Sequence, residues 1–94
     1  MERKYAEFAA TKACELLAID SPSGYTRKAA TWVKEAFEAL GFAAKITTKG
    51  GVLADLGGAD KDDALFLQAH TDTLGAMVAE IKANGRLKLT PLGG

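Results

Sequence analysis

Apolar residues recur at three- and four-residue steps at the start of the chain. Tyr5, Phe8, Ala9, Ala13, Leu16 and Leu17 share one face of an α-helix predicted from about Arg3 to Ala18. Lys12 falls inside that arc, with its stem expected along the surface and its ammonium in water. Asp20-Ser21-Pro22-Ser23-Gly24 then breaks the helix, and a serine here can cap the next one by accepting a backbone N–H bond. The second helix, roughly Tyr25 to Leu40, is the cleanest pattern. Ala29, Ala30, Val33, Ala36, Phe37 and Leu40 share one side, while Arg27, Lys28, Lys34, Glu35 and Glu38 share the other. Gly41 stands where a left-handed C-cap is wanted.

Beyond Gly41 the period becomes two. Phe42, Ala44, Ile46 and Thr48 oppose Ala43, Lys45 and Thr47, as in a half-buried strand. Lys49-Gly50-Gly51 turns the chain into a second short strand, Val52 to Leu56, and residues 57–63 form a polar loop. Ala64-Leu65-Phe66-Leu67-Gln68-Ala69 is apolar at nearly every position, which predicts a core strand covered on both faces. Met77, Ala79 and Ile81 alternate before Asn84-Gly85, and Leu87 and Leu89 alternate after it, giving a β-hairpin with a type I′ turn. The expected class is α/β, with two N-terminal helices packed on a small mixed β-sheet that ends in a β-hairpin.

Composition narrows the functional classes. At 94 residues the chain suits one domain and not two, and 48% hydrophobic with 26% charged residues is an ordinary globular balance. Twelve basic residues offset twelve acidic ones, so no net field draws nucleic acid or anionic lipid. No apolar run approaches the ~20 residues of a membrane span. Charges at Glu7, Lys12 and Glu15 interrupt any signal-peptide core, and a single cysteine, Cys14, suits a reducing compartment. The expected location is the cytoplasm, with no nucleic-acid and no membrane partner.

The lone histidine, His70, follows the predicted core strand, with Asp72 two residues on. In extended backbone these side chains project to one side, so the carboxylate can orient the imidazole while a ring nitrogen binds a cation. Ligand sites in open α/β sheets also gather at the carboxyl ends of strands. On spacing alone, though, the plainer reading of a histidine in a strand-end turn outweighs the metal reading. Other candidates are weaker still. Cys14 reads as a small core residue, and Asp60, Asp62 and Asp63 read as loop charges without a calcium-loop pattern. Trp32 reads as packing at a helix edge, and Gly50-Gly51 and Gly57-Gly58 lack the phosphate-loop spacing and read as turns.

Two motifs on these predicted elements resemble a known family. Gln68-Ala69-His70-Thr71-Asp72-Thr73-Leu74-Gly75-Ala76-Met77-Val78, followed by Ile81, Gly85 and Pro91-Leu92-Gly93-Gly94, is similar to the N-terminal part of the co-catalytic metallo-aminopeptidases of the glutamyl and tetrahedral aminopeptidase family. Leu16-Leu17-Ala18-Ile19-Asp20-Ser21-Pro22-Ser23-Gly24 resembles that family's loop between its first two helices. The resemblance runs from about Leu16 to Gly94.

The resemblance implies that His70 is the ligand of one of two divalent metals, zinc or cobalt. It implies for Asp72 the catalytic-site role of a carboxylate holding that histidine. The activity implied is hydrolysis of the N-terminal peptide bond of a peptide substrate by a metal-activated water, in a partial zinc-peptidase-like catalytic domain. Residues 1–94 would be its N-terminal part, ending near the point where such enzymes run into an inserted dimerisation domain, and the complete enzyme would be a homo-oligomer. The family's general base and remaining ligands have no counterpart in the chain, so these residues alone are expected to be inactive. Two other readings stay open. One is the aminoacylase and dipeptidase-like family, whose H-x-D-T motif runs into a proline-containing segment where this chain has Leu74 to Val78. The other is a non-catalytic, truncated interaction module with an exposed strand edge. Uncovered apolar surface, above all on residues 64–69, predicts marginal stability or self-association.

Overall fold

The computed structural model describes residues 2–94. Helix α1 spans Arg3–Leu17 and helix α2 spans Arg27–Ala39. Strands β1 (Ala44–Ile46) and β2 (Val52–Ala54) pair antiparallel, as do β3 (Gly75–Ile81) and β4 (Leu87–Leu92). The α/β class, both helices and the C-terminal hairpin are as the pattern predicts. The small mixed sheet is instead two separate two-stranded antiparallel sheets.

The end of α2 shows how local sequence decides local structure. Gly41 adopts φ +92°, its N–H bonds to the Glu38 carbonyl at 2.9 Å, and the Phe42 N–H bonds to the Phe37 carbonyl at 3.1 Å. This is the Schellman arrangement, which satisfies carbonyls that the helix leaves orphaned. It delivers the chain into β1, where Ala44 and Ile46 lie half-buried while Lys45 points out. Helix α2 packs on β1 and β2, burying Ala29 and Ala30, and these small residues let the helix sit close to the hairpin.

Both hairpins turn by one device. Thr47 N–H bonds to the Gly51 carbonyl at 2.7 Å and Gly50 N–H to the Thr47 carbonyl at 2.9 Å; Lys82 N–H bonds to the Arg86 carbonyl at 2.9 Å and Gly85 N–H to the Lys82 carbonyl at 3.0 Å. Gly50 and Gly85 carry the positive φ, +88° and +81°, that closes each three-residue loop. The type I′ turn expected at Asn84-Gly85 is therefore not formed. Asn84 stays at negative φ and its side-chain oxygen accepts the Arg86 N–H at 3.0 Å. A bulge where pairing steps from Val78↔Leu89 to Glu80↔Lys88 adds one residue to β3.

The largest departure from the sequence pattern is the expected core strand. Residues 64–69 run without ladder pairing, and Leu65, Phe66 and Leu67 are 85%, 72% and 76% exposed. A strand is defined by its neighbours, and both hairpins have satisfied their pairing internally, so this segment has none. The same lack leaves α1 poorly covered. None of its residues is buried, and Cys14, expected in a core, is exposed. Lys12 stands over the rings of Phe8 and Trp32 at 5.8 and 5.7 Å, with its ammonium 3.0 Å from Glu15, where α1 meets α2.

The molecule is accordingly open. Its accessible surface is 8069 Å² where a compact chain of this mass exposes about 5,200 Å². Its radius of gyration is 17.6 Å against about 12 Å for a compact domain of this length. We predict that the 94-residue chain self-associates at micromolar concentration through residues 64–69, and that Phe66→Lys shifts its sedimentation towards monomer. A monodisperse monomer in the unsubstituted chain contradicts this.

Candidate functional site

His70 ends the exposed apolar segment, and Asp72 follows on the way into β3. Their side chains meet, as the spacing predicts, while Thr71 and Thr73 between and beyond them are half-buried. His70 Nδ1 lies 3.0 Å from Asp72 Oδ1 and 3.1 Å from the Asp72 carbonyl oxygen. A carboxylate and a carbonyl only accept, so Nδ1 must carry the hydrogen. In the neutral ring Nε2 then keeps its lone pair, and with the side chain 85% exposed it faces solvent. The pair thus presents one oriented ring nitrogen that keeps its lone pair, the form in which histidine binds a cation.

A second segment of chain holds this pair. Thr73 N–H bonds to the Ser21 carbonyl at 2.8 Å, and Pro22 and Thr73 form a parallel bridge. The loop is itself closed by Tyr25 N–H bonding to the Pro22 carbonyl at 2.8 Å. Gly75 lies so close to Pro22 that a Cβ added to it would sit 2.7 Å from the proline Cβ, inside any real contact. The other carboxylate oxygen of Asp72, Oδ2, accepts the hydroxyl of Ser23 at 3.3 Å. Because Gly75 pairs with Leu92, the next residue, Gly93, at φ +79°, is brought against Leu74, Ser23 and Thr73. Three stretches distant in sequence therefore meet around Asp72.

Sequence pattern finds only part of this. It names His70 and Asp72, which lie in one stretch, and it takes the loop serine for a helix cap. That reading is corrected here. Thr26 occupies the N-cap of α2 and makes no side-chain cap bond, while the Ser23 hydroxyl reaches 49 positions along the chain to Asp72. No local spacing signals such a contact, nor the roles of Gly75 and Gly93. The only hint was that Pro22-Ser23-Gly24 and Pro91 to Gly94 both belong to motif-like stretches.

Other candidates stay away from the site. Asp60 accepts the Asp62 N–H at 2.9 Å in an ordinary loop turn, as its setting predicts. A hollow of about 400 Å³ near the start of α2 is lined by residues that include Tyr25, Arg27 and Ile46, and neither His70 nor Asp72 reaches it. Among the described residues no three His, Cys, Asp or Glu side chains converge as a metal cage. His70 with Asp72 supplies one imidazole and one carboxylate, fewer than the protein ligands a metal cage needs.

We predict that Gly75→Ala pushes the 21–24 loop off β3. Hydrogen exchange at the Thr73 amide should quicken at least tenfold, and unchanged protection would show that the close approach of Pro22 does not hold the loop.

Comparison with known proteins gives two matches. Residues 50–94, which carry His70, Asp72 and the β3–β4 hairpin, match the M42 glutamyl aminopeptidase family. Over 80 residues the chain is 42% identical to the protein of Bacillus subtilis (strain 168) named "Putative aminopeptidase YhfE", a match covering 85% of this chain and 23% of that protein. A stretch of that length includes both the 21–24 loop and the 70–75 segment. The chain thus spans about a quarter of the length of this relative. The two matches together support membership of the M42 glutamyl aminopeptidase family, as a fragment.

Proposed function

We propose that this chain is the metal-anchoring N-terminal part of a metal-dependent aminopeptidase that acts on peptide substrates. The carrying observation is the committed ring nitrogen. Asp72 occupies Nδ1 of His70 and leaves Nε2 free and exposed. One histidine fits a divalent site as a single ligand, and Asp72 fits as the carboxylate that orients it. The remaining ligands and the general base would come from further polypeptide, a reading supported by the greater length of the relative.

In this reading each residue has a stated task. His70 would hold one cation through Nε2. Asp72 would keep the ring in the Nδ1–H form and raise the basicity of Nε2. A pair of divalent ions, zinc or cobalt, would supply the Lewis acidity that polarises a peptide carbonyl and lowers the pKa of water. The direct passage from Leu74 into β3 favours the aminopeptidase reading over the aminoacylase-like one, whose motif runs into a proline-containing segment. The single cysteine and the absence of a membrane-length apolar helix among the described residues fit a cytoplasmic setting.

In the full aminopeptidase polypeptide, His70→Ala is expected to empty one metal position, seen as a lost equivalent of bound zinc by elemental analysis. Asp72→Asn should lower metal affinity or kcat by about 10- to 100-fold, the usual cost of losing an orienting carboxylate. Full metal content in the first variant, or unaltered affinity and kcat in the second, would remove the assignment. The intact mass of the native product offers an independent check. A mass several times that of 94 residues is expected, and one equal to it would point to a partner-completed or non-catalytic role.

A further inference from the structure

We infer that Ser23 is a positioning residue for His70, acting through Asp72. The inference rests on the reading of His70 as a metal ligand and names a residue that this reading does not use. A carboxylate anchored at one oxygen swings readily, because its terminal torsion is broad and nearly two-fold. Here both oxygens are engaged, Oδ1 by the His70 ring at 3.0 Å and Oδ2 by the Ser23 hydroxyl at 3.3 Å. Rotation of the carboxylate then breaks two bonds, and while Oδ1 stays in place it adds to the pull of the Asp72 carbonyl oxygen, 3.1 Å from Nδ1, in favouring the Nδ1–H form of His70.

Ser23 is brought there by backbone, not by chance contact of two flexible side chains. The Thr73 to Ser21 bond, the Pro22–Thr73 bridge and the close packing of Pro22 on Gly75 fix its loop from the residues on either side. The hydroxyl has no competing duty as a helix cap. Asp72 is half-exposed and the serine bond is long, so water competes and the effect is modest. A serine that only shaped its turn would leave the imidazole indifferent to its removal.

The test uses the 94-residue chain carrying Phe66→Lys, the change expected to keep it monomeric, labelled with ¹⁵N-histidine, so that His70 gives the only ring signals. Long-range ¹H–¹⁵N spectra report the ratio of Nδ1–H to Nε2–H tautomers directly. Ser23→Ala should lower this ratio by about threefold, and Ser23→Thr, which keeps the hydroxyl, should restore most of it. Thr73 amide exchange should stay within about twofold of the parent in both variants, showing that the loop remains docked. An unchanged tautomer ratio in Ser23→Ala overturns the proposal, as does a shift that Ser23→Thr fails to reverse. Titration with zinc alone separates this from the metal reading. If the Nε2 resonance moves with zinc while the ratio ignores Ser23→Ala, the ligand reading stands and the role of Ser23 falls. If the ratio falls in Ser23→Ala and Nε2 ignores zinc, Ser23 positions the ring and the ligand reading falls.

Discussion

The hydrogen bond from the Thr73 amide to the Ser21 carbonyl, at 2.8 Å, joins the two halves of this molecule. On one side stand α1, α2 and the β1–β2 hairpin, and on the other stands the β3–β4 hairpin. Among the described elements, neither β3 nor β4 packs substantially on a helix or on the first hairpin. A single backbone bond is worth only about 1 kcal/mol net, so it needs help from shape. Gly75 provides it, since the missing Cβ is what lets Pro22 lie against the strand. The same constraint sets Ser23 beside Asp72, so the site's geometry descends from the packing of one glycine on one proline.

Apart from this junction the chain is held by local pieces that each satisfy themselves. Helix α2 closes with its own cap, and both hairpins complete their ladders within a few residues. What is missing is a shared core, which is why Leu65, Phe66 and Leu67 remain in water. Burying side chains of this size returns about 1.5 to 3 kcal/mol each, so a cover over this one segment would rival the net stability of a small domain. The apolar run that reads as a core strand is therefore sound as a pattern. It lacks the neighbours that would make it one.

The same distinction explains what was legible in the sequence. Features set by neighbours within a few positions could be read: the period of α2, Gly41 at its end, the alternation through Phe42 to Ile46, and the reach of Asp72 to His70. Features set by the absence or presence of distant chain could not. Residues 64–69 carry strand chemistry without a partner, Cys14 carries core chemistry on a helix with nothing over it, and Ser23 carries cap chemistry but bonds across 49 positions. The turn at Asn84-Gly85 fails for a third reason. Its dipeptide suits two loop lengths, and the bonds from Lys82 to Arg86 select the longer one, in which only the glycine takes positive φ.

An exposed imidazole is usually a poor ligand because binding must first stop its rotation and choose its tautomer. His70 has no walls to do this, so orientation has to come from hydrogen bonds alone. Taken singly, each bond to a half-exposed group competes with water and contributes little. Linked in series they act differently. The ring is held by a carboxylate, the carboxylate by a hydroxyl, and the hydroxyl by a loop whose backbone is paired to the residue following that carboxylate. Each link narrows the motion of the next, so the ring's orientation is restricted by groups it does not touch, which is how a surface histidine can be preorganised without being buried.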